Sequence, residues 1–145
     1  MNDAHLAVWV RTASSSTTNG AMSEIGNGLA FISSKNAVAG QIVARMNDNV
    51  STGVAAGTPN STEFFCLSRA GSGAYSRYHN AASLGDLAQA STSIFNDILY
   101  LLRRGTTTYS DAQISAASFG GALTSTQEAD YRNALHTYLV AVGAA

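Results

Sequence analysis

The run Asp97–Leu102 (DILYLL), the segment Gln113–Phe119 (QISAASF) and the stretch Ser125–Val142 (STQEADYRNALHTYLVAV) decide how this chain folds. Asp97–Phe119 reads as two consecutive strands, broken at Arg103-Arg104-Gly105 and the polar Thr106–Thr108 connector. Beyond Gly120-Gly121 the apolar period changes from two to 3.6. Tyr131, Ala134, Leu135, Tyr138 and Val142 then fall on one helical face. Ser125 with Glu128 three residues later reads as a capping box, and Gly143 as the stop, so a helix is expected over about 125–142.

Upstream, every segment reads as a short strand that shares this core. His5–Thr12 (HLAVWVRT) alternates, with Leu6, Val8 and Val10 opposite His5, Ala7, Trp9 and Arg11. Ala13–Gly20 is too polar for a core element. Ala21–Gly26 and Leu29–Ser33 flank the hairpin signal Asn27-Gly28. Ala39–Met46 alternates again, and Asn47-Asp48-Asn49 turns. Ser51–Thr62, which holds the only proline, reads as a loop; Glu63–Arg69 and Ala74–Asn80 read as a hairpin, with Asn80-Ala81 turning into Ser83–Ala88. Strands at eight-to-twelve-residue spacing with one terminal helix predict an all-β, antiparallel two-sheet sandwich occupying 1–145 as a single domain.

Composition narrows the function classes. Net charge is −1, and charged residues are 12% of the chain, against about 25% in ordinary domains. That balance offers nucleic acid and anionic membranes no electrostatic footing. No apolar run approaches the roughly 20 residues of a spanning helix. The single cysteine, Cys66, excludes an intrachain disulfide and a cysteine-based zinc cluster.

Chemistry-bearing patterns are sparse. The carboxylates never alternate along a strand, as a glycosidase pair on one face requires; Glu128 and Asp130 sit in the first helical turns, where the dipole favours them. Cys66 lies beside Phe64 and Phe65 without a local histidine, and His136 sits near the end of the helix. With one carboxylate, Asn47-Asp48-Asn49 reads as a turn rather than a calcium loop. No catalytic residue, metal site or cofactor is expected. On faces opposite the apolar stripes, Trp9, Arg11, Arg45, Arg69, Tyr75 and Arg77 form a candidate carbohydrate-binding set, since sugars stack on rings and hydrogen-bond to planar guanidinium donors.

Asn2–Thr12, Glu63–Arg69, Tyr78-His79-Asn80 and above all Ser110–Gly143 (SDAQISAASFGGALTSTQEADYRNALHTYLVAVG) resemble the concanavalin A-like, or LamG-like, jelly-roll modules of tailed-phage and prophage structural proteins. The resemblance implies a jelly-roll sandwich with a C-terminal helix. It further implies a non-enzymatic module on the virion surface or tail, made in the host cytoplasm, that acts in assembly or host attachment. A lectin-like module binding a host glycan is the alternative. Two departures stand out. The family's hairpin has Asn-Gly where this chain has Asn80-Ala81, so that turn is expected to differ. The family also carries a further segment before the first strand. Without it, an edge or apolar strip is expected to lie uncovered along Ile98–Leu102 or Ile114–Phe119. That reasoning predicts a symmetric homo-oligomer or a contact with other virion proteins. Light scattering at micromolar concentration checks it; a single monomeric species with full cooperative unfolding is the contrary result.

Overall fold

The computed structural model describes residues 2–14, 25–33, 41–50, 52–55, 63–105 and 108–145. Among the described residues, twelve strands precede one helix: β1 (Ala4–Thr12), β2 (Ile25–Asn27), β3 (Ala30–Ser33), β4 (Gln41–Met46), β5 (Thr52–Ala55), β6 (Glu63–Arg69), β7 (Tyr75–His79), β8 (Ala82–Leu87), β9 (Tyr100–Leu101), β10 (Arg103–Arg104), β11 (Thr108–Tyr109), β12 (Gln113–Gly120) and α1 (Ser125–Ala141). They form two five-stranded antiparallel sheets, β12-β1-β6-β7-β8 and β5-β4-β3-β2-β9, with β10-β11 as a separate ribbon. The architecture is a β-sandwich with a C-terminal helix.

Alternation builds two apolar layers. Leu6, Val8 and Val10 of β1, with Phe65, Leu67 and Tyr75, meet Ile25, Ile32, Ile42, Ala44 and Met46 of the second sheet to form the core between the sheets. The opposite face of β1 and β6 carries Ala7, Trp9, Phe64 and Cys66, which pack beneath α1 against Leu139. Directly opposed pairs share a face, so Leu6 lies beside Leu67 and Trp9 beside Phe64. The central strands are therefore apolar on both sides, which costs β1 the simple in-out alternation of a half-solvated sheet.

Several expectations are corrected at the level of local structure. The helix is capped by Thr124, whose hydroxyl accepts from the Gln127 N–H, while the Gln127 side chain accepts from the Thr124 N–H at 2.9 Å. Ser125 and Glu128 are not the capping pair, because Glu128 points inward and is 0% exposed. Its register turns the buried stripe to Glu128, Tyr131, Leu135 and Leu139, and leaves Tyr138 and Val142 more than half exposed. At the other end Gly143, at φ +70°, lets its own N–H reach Val140 O and the Ala144 N–H reach Leu139 O. This is a Schellman closure.

The run Ile98–Leu102 yields only the two-residue strand β9. Ile98 and Leu101 are exposed, and Leu102 turns at φ +54°. The supposed loop Ser51–Thr62 contributes β5, which pairs with β4. In the first hairpin Asn27 pairs with Ala30, so the loop residues are Gly28-Leu29 rather than Asn27-Gly28; Ala21–Glu24 and Ala39-Gly40 lie outside the described residues. Both segments expected to bear an open edge, β9 and β12, terminate their sheets.

The Asn80-Ala81 turn keeps positive φ at both positions, +51° and +66°. It thus retains the backbone that Asn-Gly would adopt, with the strain placed on Ala81. Gly26 is the opposite case, since it sits at φ +112° and a Cβ there would lie 2.2 Å from Ala30 O and 2.5 Å from Phe31 Cα. Left-handed backbone costs a side-chain-bearing residue about 1–2 kcal/mol, offset in part by the roughly 0.5–1 kcal/mol entropic cost of glycine. Ala81→Gly should therefore raise Tm by roughly 2–4 °C. Gly26→Ala should cost about 2–5 kcal/mol through backbone strain and overpacking. Thermal melts of the two variants check both signs.

Candidate functional site

The six residues expected to form a sugar-binding face are not brought together. Trp9 is 2% exposed beneath α1, with its ring 5.5 Å from His136 and 5.8 Å from Phe64 and the Arg132 guanidinium over it at 5.7 Å. Arg69 is 0% exposed, and Tyr75 lies in the core under its guanidinium at 5.0 Å. Arg69 donates to Met46 O, Gly71 O, Ser72 O and Gln89 O. Arg77 shares the inner side of its sheet with Leu67 and donates to Leu84 O and Gly85 O. Arg11 is exposed at the far end of β1, and Arg45 sits on the other sheet altogether. The expectation assumed one solvated face per strand, whereas β1 and β6 have none.

The groups beneath α1 are closed to solvent chemistry. Burial, with the Glu128 carboxylate adding to it, pushes the Cys66 thiol up to about 12, so it carries no thiolate near neutrality. Burial also raises the Glu128 pKa, opposed by Arg132. Among the described residues, neither carboxyl oxygen of Glu128 has a hydrogen-bond partner. Asn47-Asp48-Asn49 is a turn: Asn47 takes φ +55°, and Asp48 Oδ1 accepts from the Val50 N–H at 2.9 Å.

A concave site lies between the sheets. A cleft of about 400 Å³ opens beside the first residues of β1 and the last of β12. Its lining includes the apolar side chains of Leu6, Met46 and Leu99, together with Ile94 and the 69%-exposed Phe119. Asp3, His5, Asn47 and Asp97 supply the polar contribution. Each is held by the protein. Asp97 accepts from the Ile98 N–H at 2.7 Å and from Asn27 Nδ2 at 2.8 Å. His5 Nδ1 donates to Gly121 O at 2.7 Å, and its Nε2 accepts from the Ser118 hydroxyl at 3.0 Å. Asn47 Oδ1 accepts from the Phe95 N–H at 2.9 Å, and Asp3 Oδ1 from the Ala122 N–H.

Carboxylate oxygens have lone pairs beyond those bonds. The arrangement therefore offers fixed acceptors for hydroxyls above an apolar lining, a combination typical of small-ligand sites in both volume and polarity. Sequence reasoning missed this cleft because its walls come from segments far apart in the chain, with no local spacing to mark them.

The chain matches no protein-family model and no curated protein. Among solved structures it is similar to Domain 4 of AbnA, a GH43 extracellular arabinanase from Geobacillus stearothermophilus, in complex with arabinotriose. The TM-score is 0.55 at 16% identity, over 89% of this chain and 66% of that one. The likeness is one of fold, and this chain spans just under two thirds of that structure's length.

The buried Glu128 carries a pH signature. An acid whose folded pKa is raised holds its proton more tightly in the folded state. Its favourable contribution is complete below the ordinary glutamate range, near 4.3, and is lost as pH rises through the folded value. Burial raises the folded value, and the Arg132 guanidinium is the ionisable group that opposes it. Glu128→Gln should match the parent's Tm at pH 4 and exceed it at pH 8. An equal gap at both pH values would show that the carboxyl does not ionise in place.

Proposed function

We propose that this chain is a non-catalytic carbohydrate-recognition module of the concanavalin A-like, LamG-like jelly-roll kind, taking a short neutral sugar segment in the cleft between its sheets. The observation that carries the reading is the cleft itself, about 400 Å³, apolar in much of its lining and supplied with Asp3, Asn47 and Asp97. Sugars match that chemistry: their C–H faces cover apolar surface and ring edge such as Phe119, and their hydroxyls donate to fixed carboxylates. The similar fold that was solved with arabinotriose adds support. Both oxygens of Asp97 already accept hydrogen bonds from the protein, which suits a fixed acceptor better than a group exchanging protons with substrate.

The second reading is a structural module at a virion or tail surface, serving assembly or attachment, alone or as a homo-oligomer. The terminal strand β12, with exposed Phe119, and the exposed Ile98 and Leu101 beside β9 favour it, since such edges invite another chain.

Isothermal titration with arabinotriose, xylotriose and maltotriose tests the first reading. Saturable binding to at least one trisaccharide is expected, weakened about threefold to tenfold by Phe119→Ala, the range of an aromatic contact, and likewise by Asp97→Asn. Absence of saturable heat for all three would remove it. Release of reducing ends from the matching polysaccharide would replace recognition with hydrolysis.

A further inference from the structure

The layer beneath α1 leaves polar groups unsatisfied. Of the helix's 17 residues only Glu128 and Leu139 are buried, and one of those two is an acid. Among the described residues neither Glu128 oxygen has a hydrogen-bond partner, and the buried Trp9 Nε1 and Arg132 Nε are also without one. Buried polar groups are ordinarily satisfied, and each exception calls for a physical reason. Apolar cover holds the helix down only modestly, through Leu139 with Tyr131 and Leu135 packed beside it. A carboxyl in that setting costs least with its proton on, since the ionised form would lack both water and a donor.

Hydrogen bonds attach α1 to the sheet at its two ends. At the entry the Ser68 hydroxyl of β6 donates to Leu123 O at 2.7 Å and accepts from the Leu123 N–H at 2.8 Å. At the exit the Ser115 hydroxyl of β12 donates to Ala144 O. The entry is a tether and the exit a latch. Among the ionisable groups of this layer, Arg132 of α1 favours the Glu128 carboxylate, but burial outweighs it and raises the Glu128 pKa. Cys66 of β6 faces the same carboxyl, which helps to keep the thiol protonated. Tyr131 of α1 and Tyr78 of β7 border the layer, His136 stacks on Trp9 at 5.5 Å, and His5 of β1 lies 6.5 Å from the Tyr131 ring.

We propose that α1 is a pH-released strap, which stays down while Glu128 is protonated and lifts about its Leu123 tether as Glu128 ionises, uncovering the Ala7, Trp9, Phe64 and Cys66 face of β1 and β6. The direction follows from linkage. A carboxyl that holds its proton more tightly docked than free opposes docking as pH rises. Opening is least below the ordinary glutamate range, near 4.3, climbs by up to tenfold per pH unit, and levels off above the docked value. The strap stands apart from the carbohydrate reading, since none of the four uncovered residues lines the cleft.

Cys66, the chain's single cysteine, lies under the strap and reports on it. Its labelling by dithiodipyridine in the full chain, between pH 4 and pH 8, is compared with that of Glu128→Gln, which stays neutral throughout. The ratio of the two rates at each pH removes the intrinsic reactivity of the thiol and any titration of the histidines. Equal rates are expected near pH 4, and a parent severalfold faster at pH 8. Ser115→Ala, which removes the latch, should speed labelling about threefold to tenfold at every pH, the scale of one hydrogen bond. Labelling should respond only weakly to low urea, as a local opening does. Should Glu128→Gln not fold, the parent still decides, since its rate relative to an unfolded cysteine peptide must climb with pH. A ratio that stays flat, a Ser115→Ala rate equal to the parent's, or labelling that follows global unfolding in urea would each overturn the proposal.

Discussion

A single buried cation, Arg69, ties the sandwich together. An unpaired guanidinium with no exposed surface would be prohibitive. Here its N–H groups reach the carbonyls of Met46, Gly71, Ser72 and Gln89, and its plane rests on Tyr75. Those carbonyls belong to the end of β4 in one sheet, the turn after β6 in the other, and the segment beyond β8. Removing Arg69 would take a shared donor from four carbonyls at once, and a lysine could not fork among them. The neighbouring turn depends on the same junction. Asn47, next to Met46, takes the N–H groups of Thr92 and Phe95 on its backbone and side-chain oxygens, and Ser72 O also accepts from Ser91. The wall of the cleft formed by Ile94, Phe95 and Leu99 is thereby hung from the place where Arg69 closes.

Much of the fold was legible because most strands obey their period. Glu63–Arg69 was delimited to the residue, and the inward set Ile42, Ala44 and Met46 followed from alternation alone. Where legibility failed, a tertiary constraint overrode a local pattern. Glu128 reads as a solvated first-turn acid, yet it sets the buried face of α1; an apolar tally therefore chose a stripe ending at Tyr138 and Val142. The aliphatic run Ile98–Leu102 looks like a central strand, but Asp97 fixes the Ile98 N–H and Leu102 turns left-handed. The segment Thr52–Ala55 looks like a loop because its pairing partner, β4, supplies the order that its composition lacks.

The functional surfaces were less legible still. Trp9 and Arg69 attract notice as recognition residues, but burial under α1 and between the sheets commits them to packing. The cleft residues Asp3, Asp97 and Phe119 look in the sequence like a terminus and strand borders. Of the predicted set, Arg11 is exposed at the end of β1 and Arg45 is partly exposed on the second sheet. Spacing within one segment cannot announce a site assembled from β1, β4, the Thr92–Leu99 segment and β12.

The helix carries one further implication. Tyr138 and Val140 of the helix and Val142 at its C-cap are each more than half exposed, while its inward side bears the acidic Glu128. Hydrophobicity therefore fixes the rotation of α1 mainly through Leu139, with Tyr131 and Leu135 beside it. Its ends are fixed as well, by the Thr124–Gln127 box and by Ala144, whose N–H closes on Leu139 and whose carbonyl takes the Ser115 hydroxyl of β12. Those few terminal bonds work as a registration pin, reinforcing the rotation at which Leu139 packs against β1 and β6.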